Sequence, residues 1–330
     1  MATGKIWLLK LVPPFRHGGW LTGLLLLSLL LPLFYLGVEE SPVRKTPALF
    51  FSFIIAYIIP VFSFITVKSQ EALNELRPIL DLDDRAFNQA QARLESASPR
   101  LTGLSLGAGT LSGCIHISFF RGSPAAAVRE MLTSVSGFVA ALGTVMVWIV
   151  MTTVVVMLIR QTVLFGRLGG RHVRISLLDT RKLLPFARVS IISSLAVIGA
   201  LALFPLIGFE TGLNLAESLP GAIALLAPLI TMFIIPVWPV HRRMATMKER
   251  ELASLSDRIG VCLDAAGGAD LDSESLDKLS PLLNYRREIA EVSSWPFDLG
   301  NMTTFAFYLI IPPLAWVGAA LIERLVDRLI

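Results

Sequence analysis

The sequence predicts an all-α fold, a polytopic transmembrane helix bundle with a cytoplasmic helical hairpin. Three observations predict it. Hydrophobic residues make up 54% of the chain and charged residues 16%, with a mean hydropathy of +0.68. A soluble domain carries about 25% charged residues. Long uncharged runs recur along the chain, and lysines and arginines alternate between richer and poorer connections, as the positive-inside rule requires. The net charge of +4 is modest. Two cysteines far apart, Cys114 and Cys262, suit neither a disulfide framework nor a zinc site.

The first run follows Lys5, Lys10 and Arg16 and extends from Trp20 to Val38. It begins like a signal peptide but has no A-x-A-like cleavage site, so it reads as an uncleaved span. Ala48–Val67, Ser136–Ile159, Val189–Phe209, Leu219–Val240 and Met302–Ile322 also reach the length of about 20 residues that a spanning helix needs. None of these five contains Asp, Glu, Lys or Arg.

The segment "LTGLSLGAGTLSGCIHISFF" (Leu101–Phe120) is uncharged but rich in Gly, Ser and Thr. If it crosses, with the N-terminus inside, 23 of the 29 Lys and Arg residues face inside and 6 face outside. Without that crossing the better orientation leaves 17 and 12. A re-entrant or interfacial segment would therefore break the charge pattern. Gly103 with Gly107, and Gly109 with Gly113, make two small-xxx-small pairs that suit close helix packing. The prediction is seven spans, N-terminus cytoplasmic and C-terminus outside. Pro60, Pro205, Pro228, Pro236 and the pair Pro312-Pro313 lie within spans, where each removes a backbone donor.

The chain then divides into 1–67 (tail and two spans), 68–100 (cytoplasmic helices), 101–240 (four spans with a basic inner loop, 160–188), 241–300 (the hairpin) and 301–330 (last span and outer tail). In 68–100, Pro78 interrupts a helix and Asp81 or Asp83 caps the next, whose stripe is Phe87, Ala90 and Leu94. Asp81 and Arg85 are spaced to pair. The 160–188 loop mixes cations with apolar residues, as a segment lying along headgroups would. Arg167, Arg171, Arg174, Arg181 and Lys182 are its candidate contacts with anionic lipid at the inner face. In 241–300, Met244, Leu252, Leu255, Ile259 and Leu263 form one stripe, and Leu276, Leu279, Leu283 and Ala290 a second. "AAGGAD" separates them, and Ser280-Pro281 would restart the second helix. Trp295 is an interfacial anchor, with Asp298 or Asn301 as the cap of the last span.

All the carboxylates fall outside the span cores, and His116 is the candidate intramembrane polar site. His17, His172 and His241 have separate basic surroundings that disfavour a metal. No HExxH, GxSxG, Walker A or GxGxxG motif occurs. The readings therefore include no enzyme, no cofactor and no nucleic-acid partner.

The phrases "LRPILDLDDRAF", "RISLLDTRKLLPFAR", "PVHRRMATMKEREL" and "SSWPFD", over roughly residues 68 to 325, resemble a family of uncharacterised multispanning prokaryotic membrane proteins. The resemblance implies the span order and a basic connection before the span at Val189, and brings no activity or site residues; the chain as a whole is expected in a plasma membrane. Two function classes follow from the residues. One is a non-enzymatic membrane scaffold or sensor whose hairpin and basic strip bind anionic lipid or another membrane or cytoplasmic protein. The other is a channel or transporter for a neutral or anionic solute, lined by residues such as Ser105, Thr110, Thr144, Thr152 and Thr153. A solute path places these around one cavity; a scaffold buries them in helix contacts.

Overall fold

A computed structural model describes residues 4–15, 17–36, 45–203, 215–265, 273–296 and 303. Within them the chain is predominantly helical: α1 (Trp7–Lys10), α2 (Gly18–Leu36), α3 (Lys45–Leu76), α4 (Asp84–Glu95), α5 (Pro99–Phe120), α6 (Pro124–Thr133), α7 (Val135–Arg171), α8 (Leu184–Ala202), α9 (Leu215–Ala265) and α10 (Ser273–Glu291). Two short strands, β1 (Gly4–Lys5) and β2 (Ser96–Ala97), pair antiparallel. Five stretches are long and apolar enough to cross a membrane: Gly18–Tyr35, Ala48–Ile79, Pro99–Phe120, Val135–Arg171 and Thr180–Ala202. The span predicted at Leu219–Val240 lies within α9. The one at Met302–Ile322, the glycine loop after α9, and the caps Asp298 and Asn301 lie outside the described residues.

The glycine-rich segment is a full helix. Ser98 caps α5 by accepting from the Leu101 amide at 3.3 Å, and Pro99 occupies the first turn. Its 22 residues span about 33 Å, enough for a hydrocarbon core of about 30 Å. Gly122, at φ +75°, turns the chain into α6, and the Arg121–Glu130 ion pair (2.8 Å) holds that turn. Ser134 then caps α7, which runs back antiparallel to α5. The close approach is made by Gly109 and Gly113. A Cβ on Gly109 would lie 2.6 Å from Ile149 Cα, and one on Gly113 would lie 3.0 Å from Val145 Cα. Ser105, Gly109 and Gly113 are the buried line of α5.

Gly103 and Gly107 differ from this pattern. No described atom lies within 4 Å of a Cβ built on either. At 100° per residue they fall on the face of α5 away from Ser105 and Gly109. The packing motif that meets α7 is thus Ser105-xxx-Gly109-xxx-Gly113.

Two of the predicted boundaries move. α7 does not stop at Ile159 but continues to Arg171, so 160–171 is helix and the irregular connection shrinks to about 172–179. Gly166, Gly169 and Gly170 would weaken that stretch by propensity, but they let it lie against Ile235, Val240 and Pro239 of α9. α9 likewise runs unbroken from 215 to 265, 51 residues, so membrane-length and projecting parts form one rod. α10 contains Pro281 rather than starting at it.

The prolines find partners across helix contacts. Pro239 leaves Ile235 O without its usual amide, and a Cβ on Gly166 would be 2.6 Å from that oxygen. Pro60 frees Ala56 O in α3, and Gly23 of α2 lies against it, at 3.1 Å by the same measure. Pro236 frees Met232 O. The buried Ser190 hydroxyl sits 3.5 Å from it and donates to the next carbonyl, Phe233 O, at 2.5 Å. Glycine hydrogens and a serine hydroxyl thus cover carbonyls that hydrocarbon could not solvate.

The buried side chains form two main clusters. One lies among α2, α3, α7, α8 and α9, centred on Phe34, Ile54, Phe62, Val150 and Met157. The other sits at one end of the bundle, where Leu73, Leu76, Leu80, Phe87, Leu94, Phe165, Phe186, Val240 and Met244 meet. We call this end the head layer.

Replacing Gly109 or Gly166 by leucine should destabilise the protein by about 1–3 kcal/mol, since backbone faces the new side chain. Gly103→Leu should cost little. Thermal unfolding in detergent measures all three, and equal loss at Gly103 would contradict the assigned faces.

Candidate functional site

The head layer gathers segments from across the chain, and the end of α4 is its joint. Arg77–Ile79 forms a 3₁₀ turn at Pro78. Asp83 then caps α4, accepting from the Ala86 amide at 2.8 Å. Phe87, Ala90 and Leu94 are its buried stripe, as the spacing predicts. Every late carbonyl of α4 has a donor. Ser96 covers Ala92 O, Arg160 donates to Arg93 O and to Ser96 O, Gln161 Nε2 donates to Leu94 O at 3.1 Å, and the Ile6 amide donates to Glu95 O at 2.9 Å. Gln161 Nε2 also reaches Thr66 Oγ1 on α3 at 3.1 Å. Consecutive side chains of α7 therefore tie α3, α4 and β2 together.

The β1–β2 ribbon fixes the N-terminal segment here, with Ile6, Leu8, Leu9 and Val12 buried and Leu11 and Phe15 exposed. The connection after α7 docks alongside. Asp81 N donates to His172 O at 2.6 Å, and Arg174 N donates to Ile79 O at 2.8 Å. Arg243 of α9 donates to Gly169 O at 3.2 Å, covering a carbonyl at the end of α7.

The five basic candidates share this end of the molecule and are all exposed. Arg167 and Arg171 lie one turn apart in the last turns of α7. Arg181 and Lys182 lie in the 3₁₀ turn Thr180–Leu183. Arg174 pairs with Asp81 at 3.2 Å and Lys182 with Asp179 at 2.8 Å. Asp81 thus turns to Arg174, not to Arg85. Arg188 pairs with Glu75 at 2.6 Å. Leu178, between these cations, is 65% exposed.

α10 runs antiparallel along the projecting part of α9. Lys248 Nζ donates to Ala290 O (2.6 Å) and Val292 O (2.8 Å), stabilising the negative end of the α10 dipole. Tyr285 donates to Glu251 at 3.3 Å. Desolvation, followed by the nearby Glu251 carboxylate, raises the Tyr285 pKa above its ordinary value, which keeps it a donor. Leu255, Leu279 and Ile289 are buried, whereas Val261, Leu263, Leu276 and Leu283 are exposed. His241 Nδ1 lies 3.0 Å from Ser294 O, and its ring stacks on Trp295 at 3.8 Å. Trp238 meets the same tryptophan edge-on.

Of the remaining candidates, Ser105 and Thr153 are buried, His116, Thr144 and Thr152 half-buried and Thr110 exposed. His116 lies against Trp148 and Phe120, at centroid distances of 5.7 and 4.6 Å, with no hydrogen-bonding partner among the described residues. Ser105, Thr110 and Thr144 donate to carbonyls of their own helices. Thr153 is buried. A cavity of about 30 Å³ between α3, α7 and α8 is lined by apolar side chains and Tyr57, and by none of these hydroxyl residues. No cluster of His, Cys, Asp or Glu among the described residues could hold a metal, and both cysteines are free.

Sequence reading missed Gln161 and the carbonyl-binding role of Arg160, because the apolar run ends at Ile159. The available signal was "VLFG" beyond it, which keeps helical apolar spacing and places Gln161 on the same face as Leu158 and Phe165. The N-terminal strand gave no signal at all: two residues are too few for alternation to register.

Compared with known proteins, the chain matches no family model, no curated protein and no solved structure.

Gln161→Leu removes the donor to buried Leu94 O and Thr66 Oγ1 and should destabilise the head layer by about 1–3 kcal/mol. Hydrogen exchange should quicken in α4 and β1 before the bundle loosens. Unchanged exchange there would show that the joint does not depend on this amide.

Proposed function

We propose that the protein is a non-enzymatic integral membrane scaffold or sensor that presents the α9–α10 pair from the membrane to a partner. On this reading it lies in a prokaryotic plasma membrane with the head layer cytoplasmic and the C-terminus outside. The prokaryotic setting is suggested by the resemblance of its local phrases, the membrane by its apolar helices, and the orientation by its cation distribution. The four segments expected inside (the N-terminal residues, 68–100, 160–188 and 241–300) have described residues that meet at one end of the fold. Arg121 and Arg129 belong to the other.

One observation carries the scaffold reading. The projecting pair shares its rod with α9, and α9 contributes Val240 and Met244 to the core that also holds α3, α4, α7 and α8. A load on the pair is delivered to the whole bundle. The apolar residues left exposed along the pair, Val261, Leu276 and Leu283, suit a protein partner. Among the small hydroxyl residues, buried Ser105 and Thr153 fit the same reading, and none of the five lines the apolar cavity.

Cysteine labelling tests the orientation. With Cys114→Ser, Arg129→Cys should react with an impermeant maleimide in intact cells, and native Cys262 only after permeabilisation; the reverse would overturn it. Photo-crosslinkers at Leu276 and Leu283 should yield a discrete heavier species that Val261→Asp abolishes. Crosslinks confined to the chain itself, or solute flux through proteoliposomes above that of empty vesicles, would reject the scaffold.

A further inference from the structure

We propose that Arg167, Arg171 and Arg181 form a contact surface for the phosphate groups of anionic membrane lipids. The inference deepens the reading above and rests on the head layer lying at a membrane surface. It comes from sorting the cations of residues 160–188 by what each already binds. Arg160 is spent on the carbonyls of Arg93 and Ser96. Arg174, Lys182 and Arg188 each face a carboxylate: Asp81, Asp179 and Glu75. These pairs are largely exposed and hold only weakly, but each cancels its charge at a distance. Arg167, Arg171 and Arg181 are exposed and have neither ion pair nor hydrogen bond among the described residues. Within residues 160–188 they are the cations left uncompensated among the described residues.

The apolar surroundings place that charge at headgroup depth. Leu178 is 65% exposed and lies four residues after Arg174 and three before Arg181, an apolar side chain among cations with no protein over it. On the N-terminal segment, Leu11, Phe15 and Trp20 are exposed close to Lys10. Trp238 and Trp295 meet at the base of the α9–α10 pair. Aromatic and leucine side chains beside cations mark an interface, where the apolar part enters the acyl region and the charge stays with phosphate. A soluble anion would satisfy the guanidiniums but would leave Leu178 in water. Arginine suits the role because its planar fork binds phosphate oxygens two at a time.

The test uses the full purified chain in neutral detergent, titrated with phosphatidylglycerol or phosphatidylcholine and read by native mass spectrometry. Phosphatidylglycerol should bind more tightly, with an affinity that falls as salt rises. Each cation near an anionic surface corresponds to about fivefold in affinity, so the triple variant Arg167→Gln/Arg171→Gln/Arg181→Gln should bind roughly a hundredfold more weakly. The pair variant Arg174→Gln/Asp81→Asn/Lys182→Gln/Asp179→Asn, which removes both ion pairs whole and leaves the net charge unchanged, should bind like the unaltered chain. The triple variant with lysine at the same positions should recover most of the binding, which separates lost charge from lost fold. Wild-type binding by the glutamine triple, equal binding of the two lipids, or equal loss in the pair variant would overturn the proposal. Full displacement of lipid by millimolar inorganic phosphate would also overturn it, by showing a site for free phosphate. Lipid binding that persists after cysteine labelling has reversed the orientation would leave this surface standing and reject only the earlier reading.

Discussion

A carbonyl without an amide must find another donor wherever water is scarce, and this fold is organised around that requirement. Helix ends leave four such carbonyls each, and every proline inside a helix leaves one more. At the end of α4 the donors come from Arg160 and Gln161, from Ser96 and from the backbone of Ile6. At the prolines of α3 and α9 the freed carbonyls lie against Gly23, Gly166 and the Ser190 hydroxyl, each on a neighbouring helix. A defect in one helix thus becomes a contact with the next. The same residues that break regular hydrogen bonding specify which helices are neighbours and in what register.

This logic makes the head layer a continuation of the bundle instead of a domain resting on it. α3 passes from the apolar core into the head without interruption up to Leu76, α7 does so up to Arg171, and α9 passes through and beyond. The charged groups divide accordingly. Some close the architecture, as Arg160, Arg243 and Lys248 do on carbonyls. Others pair locally, and a few remain unassigned on the outside. That last group, Arg167, Arg171 and Arg181 among them, is the charge left over once the groups with partners inside the fold are set aside.

Much of the architecture was legible because membrane helices announce themselves by length and lack of charge. That Leu101–Phe120 is one continuous helix of membrane length, and not a broken loop, was expected from cations far from it in sequence. Pro78, Asp83 and the Phe87–Ala90–Leu94 stripe were readable from local rules. The rotation of α5 was not. Its four glycines form two equally good pairs in sequence, and only contact with Val145 and Ile149 selects Gly109 and Gly113. The extent of α7 was hidden because cations and glycines signal a loop, whereas tertiary contact with α9 keeps them helical. Nor could spacing distinguish Arg174 from Arg171, since a partner ninety-three residues away decides it.

The ribbon between Gly4–Lys5 and Ser96–Ala97 has a consequence for biogenesis. A ribosome finishes the first strand long before its mate exists, and two apolar helices enter the bilayer in the interval. Arg160 and Gln161, which complete the same joint, emerge later still, and Val240 and Met244 last. The N-terminal strand must therefore wait unpaired until Ser96–Ala97 emerge, and Ile6 and Leu8 stay uncovered until the later helices of their cluster follow.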